Sequence, residues 1–483
     1  METQPDACAS PPAKRQRTEP PDGHHIVDLT QSQSPSPPPP LTRRVSLGFK
    51  LTTLKDAPPT HNVGLSDIFT GAFSSCLLTN YMFDVPWLFG ECPRLRDIPV
   101  LLVHGERNRA AMANECRGYD NIKLVAPHLP IPYGTHHTKM AVLVFTTYVR
   151  VAIFTANFIS IDWNNKTQGV WMRDFPLKSG GSVKLSAVGV VADFERDLID
   201  YLTSLGAHVT EFCRQQIQRF DFSSADVALI PSVPGVHTGA AMFKYGHLRV
   251  KKLLEHYGAQ SDNPLICQFS SLGSLDEKWL FGEFAPSLMP GSTDLRANTC
   301  PIKAFHIIWP SVENVRNSIE GWNAGRAIPC PLKNMKPFLH KYLRKWGPPD
   351  ELHRRNAMPH IKTYARFDPS QSGLIEWAIL TSSNLSKAAW GAYQKNQTQF
   401  MIRSYELGVL FIPKDASNVQ VEQRFGVIGS KMATSTPHDQ HVQFLPLPFG
   451  FPIKTYNPKD DEPWVWDIVR EEPDIYGNCY IPK

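Results

Sequence analysis

Two short segments of the sequence place a histidine and a lysine two residues apart. His137 and Lys139 form one pair, and His360 and Lys362 form the other. Each pair leads into an apolar run typical of a β-strand, where side chains at i and i+2 point to the same face. Each motif therefore offers an imidazole and an ammonium group side by side. This set suits an anionic phosphoryl centre, with one imidazole to attack and another to protonate the leaving group.

Each motif is also followed by an asparagine just past the next predicted strand. Asn157 lies after the run 149–154, and Asn384 lies after the run 377–380. The separations from the two histidines are similar, at 157 − 137 = 20 and 384 − 360 = 24 residues. A single His-x-Lys is a weak signal, because roughly one is expected by chance in such a chain. Two copies with the same continuation predict an internal duplication around one phosphoryl site.

The elements that must position these residues alternate between strands and helices. Apolar runs at 99–103 and 149–154 predict strands, while helical periodicity predicts a helix that opens near Asp193 and another over 247–256. This alternation favours an α/β sandwich, a sheet covered by helices. The turn-rich stretch 231–235 is the best internal boundary. We therefore expect an N-terminal domain over 48–235 and a C-terminal domain over 236–483.

At these motifs the chain resembles the phospholipase D superfamily, whose active site joins two His-x-Lys motifs across a pseudo-twofold axis. The general motif has an aspartate five residues after each lysine, where this sequence has Val144 and Phe367. Lacking that acid, the chain is similar to the tyrosyl-DNA phosphodiesterase branch. The words Tyr-Gly-Thr-His-His-Thr-Lys-Met at 133–140 and Asn-Leu-Ser-Lys-Ala-Ala-Trp-Gly at 384–391 carry this resemblance. It covers about residues 50–483 and implies two similar phospholipase D-like α-β-α sandwich domains.

The resemblance also implies a role for each polar residue. His137 would be the nucleophile that forms a phosphohistidine, and His360 the general acid and then the base. The phosphate oxygens would be held by four further residues: Lys139, Lys362, Asn157 and Asn384. Gln168 and Glu406 would orient the histidines. We favour Glu406 behind His137 and the neutral Gln168 behind His360, although the sequence leaves that assignment open.

Further candidates surround this set. Tyr133 is a candidate for stacking on a nucleobase, and Tyr81 for lining the peptide side of the cleft. Three serines are candidates for contacts to the DNA backbone: Ser271, Ser274 and Ser386. His136 points to the opposite side of the chain from His137, which favours a structural role. Trp464 and Trp466 are interpreted as C-terminal packing residues. Each aromatic and serine candidate keeps the alternative of an ordinary packing or surface residue.

The composition limits the remaining possibilities. A net charge of +5 excludes a polybasic tail as the main binding device, and nine cysteines without a Cys-x-x-Cys predict reduced core thiols. Residues 1–47 contain no aromatic residue and are expected to form a disordered tail. In that tail, 14–17 resembles a nuclear-import signal and 26–30 resembles a SUMO-interacting motif. We expect a nuclear protein, with the cytoplasm left open as a second location and SUMO or repair factors as tail partners.

Three functions compete at this stage. The first is a DNA-repair phosphodiesterase that hydrolyses 3′-phosphotyrosyl adducts, derived from topoisomerase I, and related 3′ adducts at single-stranded, nicked or duplex DNA ends. The second is a lipid-cleaving phospholipase D, which the missing motif aspartate and the absence of a membrane-binding segment disfavour. The third is a catalytically inactive module that binds DNA ends, which the intact His and Lys pairs disfavour. For the first function we expect no metal and no cofactor, since lysines and asparagines supply the charge stabilisation.

Overall fold

The computed structural model describes most of the chain after residue 47. The described ranges are 48–55, 57, 61–179, 192–259, 261–293, 295, 299–367, 373–413, 424–430, 442–450 and 452–482. The predicted tail, with its segments 14–17 and 26–30, lies outside the described residues. Residues 46–483 form one compact unit.

Twenty strands fall within the described ranges. They are β1 (Phe49–Thr52), β2 (Asn62–Val63), β3 (Ser75–Asn80), β4 (Val100–His104), β5 (Ile122–Val125), β6 (Met140–Val144), β7 (Tyr148–Phe154), β8 (Gly169–Pro176), β9 (Ala228–Ser232), β10 (Gly235–Thr238), β11 (Leu265–Gln268), β12 (Phe305–Trp309), β13 (Leu343–Lys345), β14 (Thr363–Phe367), β15 (Leu374–Thr381), β16 (Ala392–Gln394), β17 (Gln399–Ile402), β18 (Glu406–Phe411), β19 (Arg424–Val427) and β20 (Val442–Leu445). The predicted runs at 99–103, 149–154 and 377–380 correspond to β4, β7 and part of β15.

The strands form two large sheets with the same order. From one edge, the first sheet runs β5-β4-β3-β6-β7-β8-β1-β2 and the second runs β13-β12-β11-β14-β15-β18-β9. In both sheets the first three strands are parallel to one another. The next four pairings, up to β1 or β9, are antiparallel in both sheets. The duplication expected from the polar motifs is therefore present in the topology, as two repeats.

The start of the second repeat is marked by β9. This strand pairs with β18, from Glu406 opposite Ser232 to Leu410 opposite Ala228, as β1 pairs with β8 in the first sheet. Thus residues 228–232, which precede the predicted boundary after residue 235, belong to the second sheet. The small sheet β10-β17-β16 and the pair β19-β20 are additions to the second repeat. The position of the domain boundary itself stays a prediction.

Twelve α-helices accompany the sheets in the described ranges. They are α1 (Leu65–Ile68), α2 (Val85–Glu91), α3 (Arg109–Glu115), α4 (Ser160–Asn164), α5 (Phe194–Thr203), α6 (Ala207–Phe212), α7 (Gly246–His256), α8 (Glu277–Trp279), α9 (Ala285–Leu288), α10 (Val312–Arg316), α11 (Pro337–His340) and α12 (Lys387–Trp390). Asp193 caps α5 by accepting a hydrogen bond from the main-chain N–H of Arg196, which confirms the predicted helix start. The second predicted helix is α7, with Leu253 and Leu254 buried. None of the described helices is both long and apolar enough to cross a membrane.

The two repeats share a hydrophobic core. One cluster of buried side chains includes Val142 and Ile153 from the first sheet and Leu380 and Val409 from the second. A separate cluster packs the other face of the first sheet against its helices. Seven cysteines are buried outside any disulfide, namely those at 76, 92, 116, 213, 267, 300 and 330, whereas Cys479 is exposed. Because the core is continuous across the repeats, the strand ends that face each other are held in fixed positions.

Candidate active site

The two His-x-Lys segments lie where the repeats meet. Each segment precedes its strand, β6 or β14, and bonds to the opposite repeat. The main-chain N–H of His137 donates to the carbonyl of Tyr405 at 2.9 Å, and the N–H of Tyr405 donates to the carbonyl of Thr135 at 2.9 Å. In the same way, the N–H of His360 donates to the carbonyl of Thr167 at 3.0 Å. His137 is therefore held beside Tyr405, the residue before Glu406. His360 is held beside Thr167, the residue before Gln168.

His137 faces a carboxylate across the seam, which is the contact between the two repeats. Its Nδ1 lies 2.9 Å from Oε2 of Glu406, at the start of β18. Burial raises the pKa of Glu406, but the charge of His137 and bonds from His137 and Ser382 outweigh it and lower that pKa. Burial lowers the pKa of His137, Glu406 opposes this effect, and Lys139 adds to it. A neutral His137 with its proton on Nδ1 leaves Nε2 free as a nucleophile.

His360 faces an amide and a second carboxylate. Its Nδ1 lies 3.0 Å from Nε2 and 3.2 Å from Oε1 of Gln168, which precedes β8. Oδ2 of Asp162, in α4, lies 3.5 Å from the same nitrogen. Burial, followed by the charges of Lys362, Lys139, His137 and Lys166, lowers the pKa of His360 well below its usual value.

The motif lysines are almost fully buried. Nζ of Lys139 donates to the carbonyl of His137 at 2.8 Å, and Nζ of Lys362 donates to the carbonyl of His360. Burial lowers the pKa of Lys139 to about 8, with Glu406 and Asp162 opposing it. Burial and Lys139 lower the pKa of Lys362 well below its usual value. The charge of Lys139 disfavours the charged form of Lys362, and a bound anion would oppose that effect, as expected at a phosphate site.

The two asparagines are anchored in different ways. Asn157 donates its main-chain N–H and its Nδ2–H to Oδ2 of Asp162, at 2.8 and 2.9 Å. Asn384 accepts the main-chain N–H of Ser270 on Oδ1, at 3.1 Å. The bond to Ser270 leaves the NH₂ group of Asn384 for an anionic oxygen. Asn157 retains the second hydrogen of its NH₂ group for the same purpose.

Tyr81 is the aromatic candidate in direct contact with the histidine and lysine set. Its ring centroid lies 5.6 Å from that of His137 and 5.7 Å from Nζ of Lys139. His136, by contrast, is buried with Nε2 2.6 Å from Oγ1 of Thr79, and burial lowers its pKa to about 3. This neutral, buried environment is that of a structural histidine.

Tyr133 is displayed at the rim of the first motif. Its side chain is 86% exposed, and its backbone has a left-handed φ of 62°. The neighbouring Gly134 is pressed against the second repeat, since a Cβ there would lie 2.0 Å from the carbonyl of Arg403. Arg403 in turn donates to the carbonyl of Pro132 at 2.8 Å. This support holds an exposed aromatic ring next to the motif.

The three candidate serines lie close together. Leu272 forms a bridge with Leu385, and a Cβ on Gly273 would lie 3.0 Å from Cβ of Ser386. Ser271 and Ser274 flank this contact, and Ser274 is exposed. Ser386 caps α12 by accepting the N–H of Ala389 at 3.2 Å.

The two C-terminal tryptophans differ in their surroundings. Trp464 is fully buried, donates Nε1–H to the carbonyl of Ile328 at 3.2 Å and stacks on Trp322. The packing interpretation is confirmed for Trp464. Trp466 is exposed, so the packing interpretation is not confirmed for that side chain.

Asp162 is a site residue to which the sequence assigned no role. Its side chain is 3% exposed and touches both Asn157 and His360. Nearby, Nζ of Lys166 lies 2.5 Å from Oε2 of Glu320, joining the repeats by a buried ion pair. The available signal was an acidic residue in the first turn of a helix right after the first asparagine. In the described residues, no three His, Cys, Asp or Glu side chains group as metal ligands.

A duplicated sheet whose two His-x-Lys pairs meet between the repeats is the arrangement expected from the resemblance to the phospholipase D superfamily. The family model described as tyrosyl-DNA phosphodiesterase matches residues 48–457. The chain is 42% identical over 485 residues to tyrosyl-DNA phosphodiesterase 1 of Arabidopsis thaliana, covering 91% of this chain and 78% of that relative. It is 32% identical over 461 residues to the Drosophila melanogaster protein of that name, covering 89% and 75%. The chain therefore belongs to the tyrosyl-DNA phosphodiesterase family.

A solved relative shares the architecture. A crystal structure of the yeast tyrosyl-DNA phosphodiesterase matches with a TM-score of 0.66 and 21% identity. The match covers 86% of this chain and 99% of that one. The expected α/β fold is thus confirmed, and this chain shares it with that structure.

Proposed function

We propose that this protein is a DNA-repair phosphodiesterase that hydrolyses 3′-phosphotyrosyl bonds, and related 3′ adducts, on DNA ends. The observation that carries the proposal is the unequal environment of the two histidines. His137 has a carboxylate on Nδ1 and is suited to attack, whereas His360 has the mixed partners expected of a proton donor and acceptor. Family membership supports the DNA substrate, since the relatives are named tyrosyl-DNA phosphodiesterases.

The reaction has two steps. In the first, Nε2 of His137 attacks phosphorus, the bond to the tyrosine oxygen breaks, and His360 gives that oxygen its proton. In the second, His360 takes a proton from water, the water oxygen bonds to phosphorus, and the bond to Nε2 breaks. The products are a tyrosyl peptide and a 3′-phosphate, with His137 regenerated. Four residues stabilise the phosphate oxygens: Lys139, Lys362, Asn157 and Asn384.

The DNA end and the peptide occupy opposite sides of this centre. Tyr133 stacks on an exposed base, which suits single-stranded or frayed ends because stacking tolerates any sequence. The serines around the 271–274 loop and Ser386 contact the DNA backbone. Tyr81, beside His137, lines the peptide side.

The test is a trapping experiment with a 3′-phosphotyrosyl oligonucleotide and the variants His360→Asn and His137→Ala. We expect His360→Asn to accumulate a protein–DNA adduct, because a phenolate with a pKa near 10 leaves slowly unaided while water attack loses a base worth about 10²–10⁴-fold. The adduct should survive denaturation, hydrolyse in acid and map to His137. His137→Ala should form no adduct. An adduct on His360 in the His137 variant would reverse the two roles.

A parallel assay separates this function from its competitors. Wild-type protein is incubated with the oligonucleotide and with a choline phospholipid, each with and without excess EDTA. We expect cleavage of the oligonucleotide alone, unchanged by EDTA, because two lysines and two asparagines supply the positive field that a metal would supply. Lipid cleavage would favour a phospholipase D, and loss of activity in EDTA would contradict the metal-independent mechanism. Binding without cleavage would indicate an inactive DNA-end module.

A further inference from the structure

Asp162 connects one asparagine to the opposite histidine. Its Oδ2 accepts two bonds from Asn157, at 2.8 and 2.9 Å, and lies 3.5 Å from Nδ1 of His360. The second repeat has no acid at the matching position. There Ala389 follows Asn384 by 389 − 384 = 5 residues, as Asp162 follows Asn157 by 162 − 157 = 5. The carboxylate is therefore an asymmetric feature of a duplicated site.

The amide of Gln168 does not by itself select the tautomer of His360 that carries its proton on Nδ1 and leaves Nε2 free to accept a proton. Its Oε1 accepts the hydroxyl proton of Thr155 at 2.7 Å, and Thr155 accepts the N–H of Gly169 at 3.0 Å. Both amide atoms lie within hydrogen-bond distance of Nδ1 of His360, Nε2 at 3.0 Å and Oε1 at 3.2 Å, so the amide can donate to Nδ1 or accept from Nδ1–H. An amide N–H pairs with an unprotonated Nδ1, which places the proton of a neutral imidazole on Nε2. In that tautomer the outward nitrogen has no lone pair to accept a proton from water.

We propose that Asp162 is a positioning residue that keeps the proton on Nδ1 of His360, so that Nε2 alone exchanges protons with substrate. The inference rests on the proposed two-step reaction. A carboxylate only accepts hydrogen bonds, so it favours Nδ1–H in the neutral base and stabilises the imidazolium of the acid. His137 needs no second carboxylate, because Glu406 is already in direct contact with its Nδ1.

The other charges around His360 all act against its protonation or are already paired. Lys139, Lys362, Lys166 and His137 each lower its pKa. Glu320 pairs with Lys166 at 2.5 Å, and Glu406 bonds to His137 and to Ser382. Within the described part of the chain, Asp162 is the acid at ion-pair distance from the His360 ring. Its negative charge therefore lies beside an imidazole that three lysines disfavour in the protonated form.

The primary test compares Asp162→Asn with wild type in single-turnover assays across pH. In the variant the pKa of His360 falls, so the basic limb of the cleavage step should move to lower pH by about one unit or more. Hydrolysis of the phosphohistidine should slow about tenfold or more at pH 7, since part of the neutral His360 holds its proton on Nε2. The matched control is Asp174→Asn, which removes an acid paired with Arg150 on β8 and should leave both profiles unchanged.

A second readout needs no substrate. The ¹⁵N resonances of ¹⁵N-histidine-labelled protein report which ring nitrogen of His360 is protonated, with His360→Asn for assignment. We expect the Nδ1–H form in wild type and in Asp174→Asn, and a shift toward Nε2–H in Asp162→Asn. Unchanged resonances and an unchanged pH profile in Asp162→Asn would overturn the inference. If wild type failed to cleave the oligonucleotide, the proposed function would fail, yet this spectrum would still test Asp162.

A gain-of-charge variant guards against misfolding of Asp162→Asn. Gln168→Glu places a carboxylate on the same Nδ1, so the basic limb should move to higher pH in otherwise wild-type protein. In Asp162→Asn/Gln168→Glu, the pH profile and the hydrolysis rate should return toward wild type. A double variant no better than Asp162→Asn, with its fold intact, would show that Asp162 acts on Asn157 alone and not on His360.

Discussion

His137 and His360 carry the same side chain but lie in different electrostatic surroundings. A carboxylate holds Nδ1 of His137 at 2.9 Å, whereas an amide at 3.0 Å and a carboxylate at 3.5 Å share Nδ1 of His360. Two imidazoles in equal environments would share one proton between them, so neither would be fixed as the nucleophile or as the acid. The asymmetry of Glu406, Gln168 and Asp162 gives the two histidines different surroundings, as the proposed roles require.

The pH dependence should differ between free and substrate-bound enzyme. Burial and the motif lysines lower the pKa of His360 in the empty site, and a bound phosphodiester anion opposes those lysines. The pKa of His360 should rise on binding, so activity that needs its proton persists to higher pH. We expect the basic limb of kcat to lie at higher pH than that of kcat/KM for the 3′-phosphotyrosyl oligonucleotide. Coincident basic limbs would contradict this account.

At the residue scale, sequence spacing located the histidines, lysines and asparagines but not the acid beside His360. A His-x-Lys repeated with the same continuation is rare enough to stand out. Asp162 is not part of a repeated pattern, because its counterpart in the second repeat is Ala389. Its proximity to His360 arises from a contact across the seam, which spacing within one repeat does not encode.

At the scale of elements, the duplicated strand order explains why the polar residues converge. The strand connections bring Asn157 after β7 and Asn384 after β15, each beside the motif that precedes the neighbouring strand. Each His-x-Lys pair leads into a strand, as the sequence predicted. His137 and His360 precede β6 and β14, because their main-chain N–H groups bond to the opposite repeat instead of continuing the sheet.

Because β9 belongs to the second sheet, it determines where the chain can be divided into two pieces that still assemble. Coexpressed pieces 48–223 and 224–483 keep β9 with its partner β18, whereas pieces 48–235 and 236–483 separate them. All five residues of β9 are buried, so the second cut leaves β18 as an unpaired sheet edge. We expect the first pair of pieces to copurify and cleave the oligonucleotide, and the second pair to aggregate or remain inactive. Equal reconstitution from both cuts would show that β9 is dispensable for the second repeat.

At the scale of the whole molecule, the site depends on the part of the chain that matches the family. The family match covers residues 48–457, and the candidate site residues lie between Tyr81 and Glu406. Residues 1–47 add a basic cluster at 14–17 and no aromatic residue. The sequence therefore predicts a role for this segment in localisation and none in catalysis.

Deleting residues 1–47 should therefore separate location from catalysis. We expect kcat and KM of the purified deletion variant to stay within about twofold of wild type, since surface changes away from the core are nearly neutral. Nuclear accumulation of a fluorescent fusion should fall, because the 14–17 cluster is lost. Full-length protein with 14–17 changed to alanine is the matched control and should mislocalise equally. A large loss of activity on deletion would place the tail in the active cleft.

The bonds across the seam also determine when during synthesis the enzyme becomes active. His137 and its partner Glu406 are 269 residues apart, and His360 and Gln168 are 192 residues apart. A ribosome makes the chain from the N-terminus, so the nucleophile emerges long before the carboxylate that orients it. A growing or prematurely terminated polypeptide therefore carries His137 without a working reaction centre. On the proposed mechanism, we expect a chain that ends before the second repeat to be inactive, because it lacks Glu406 and His360.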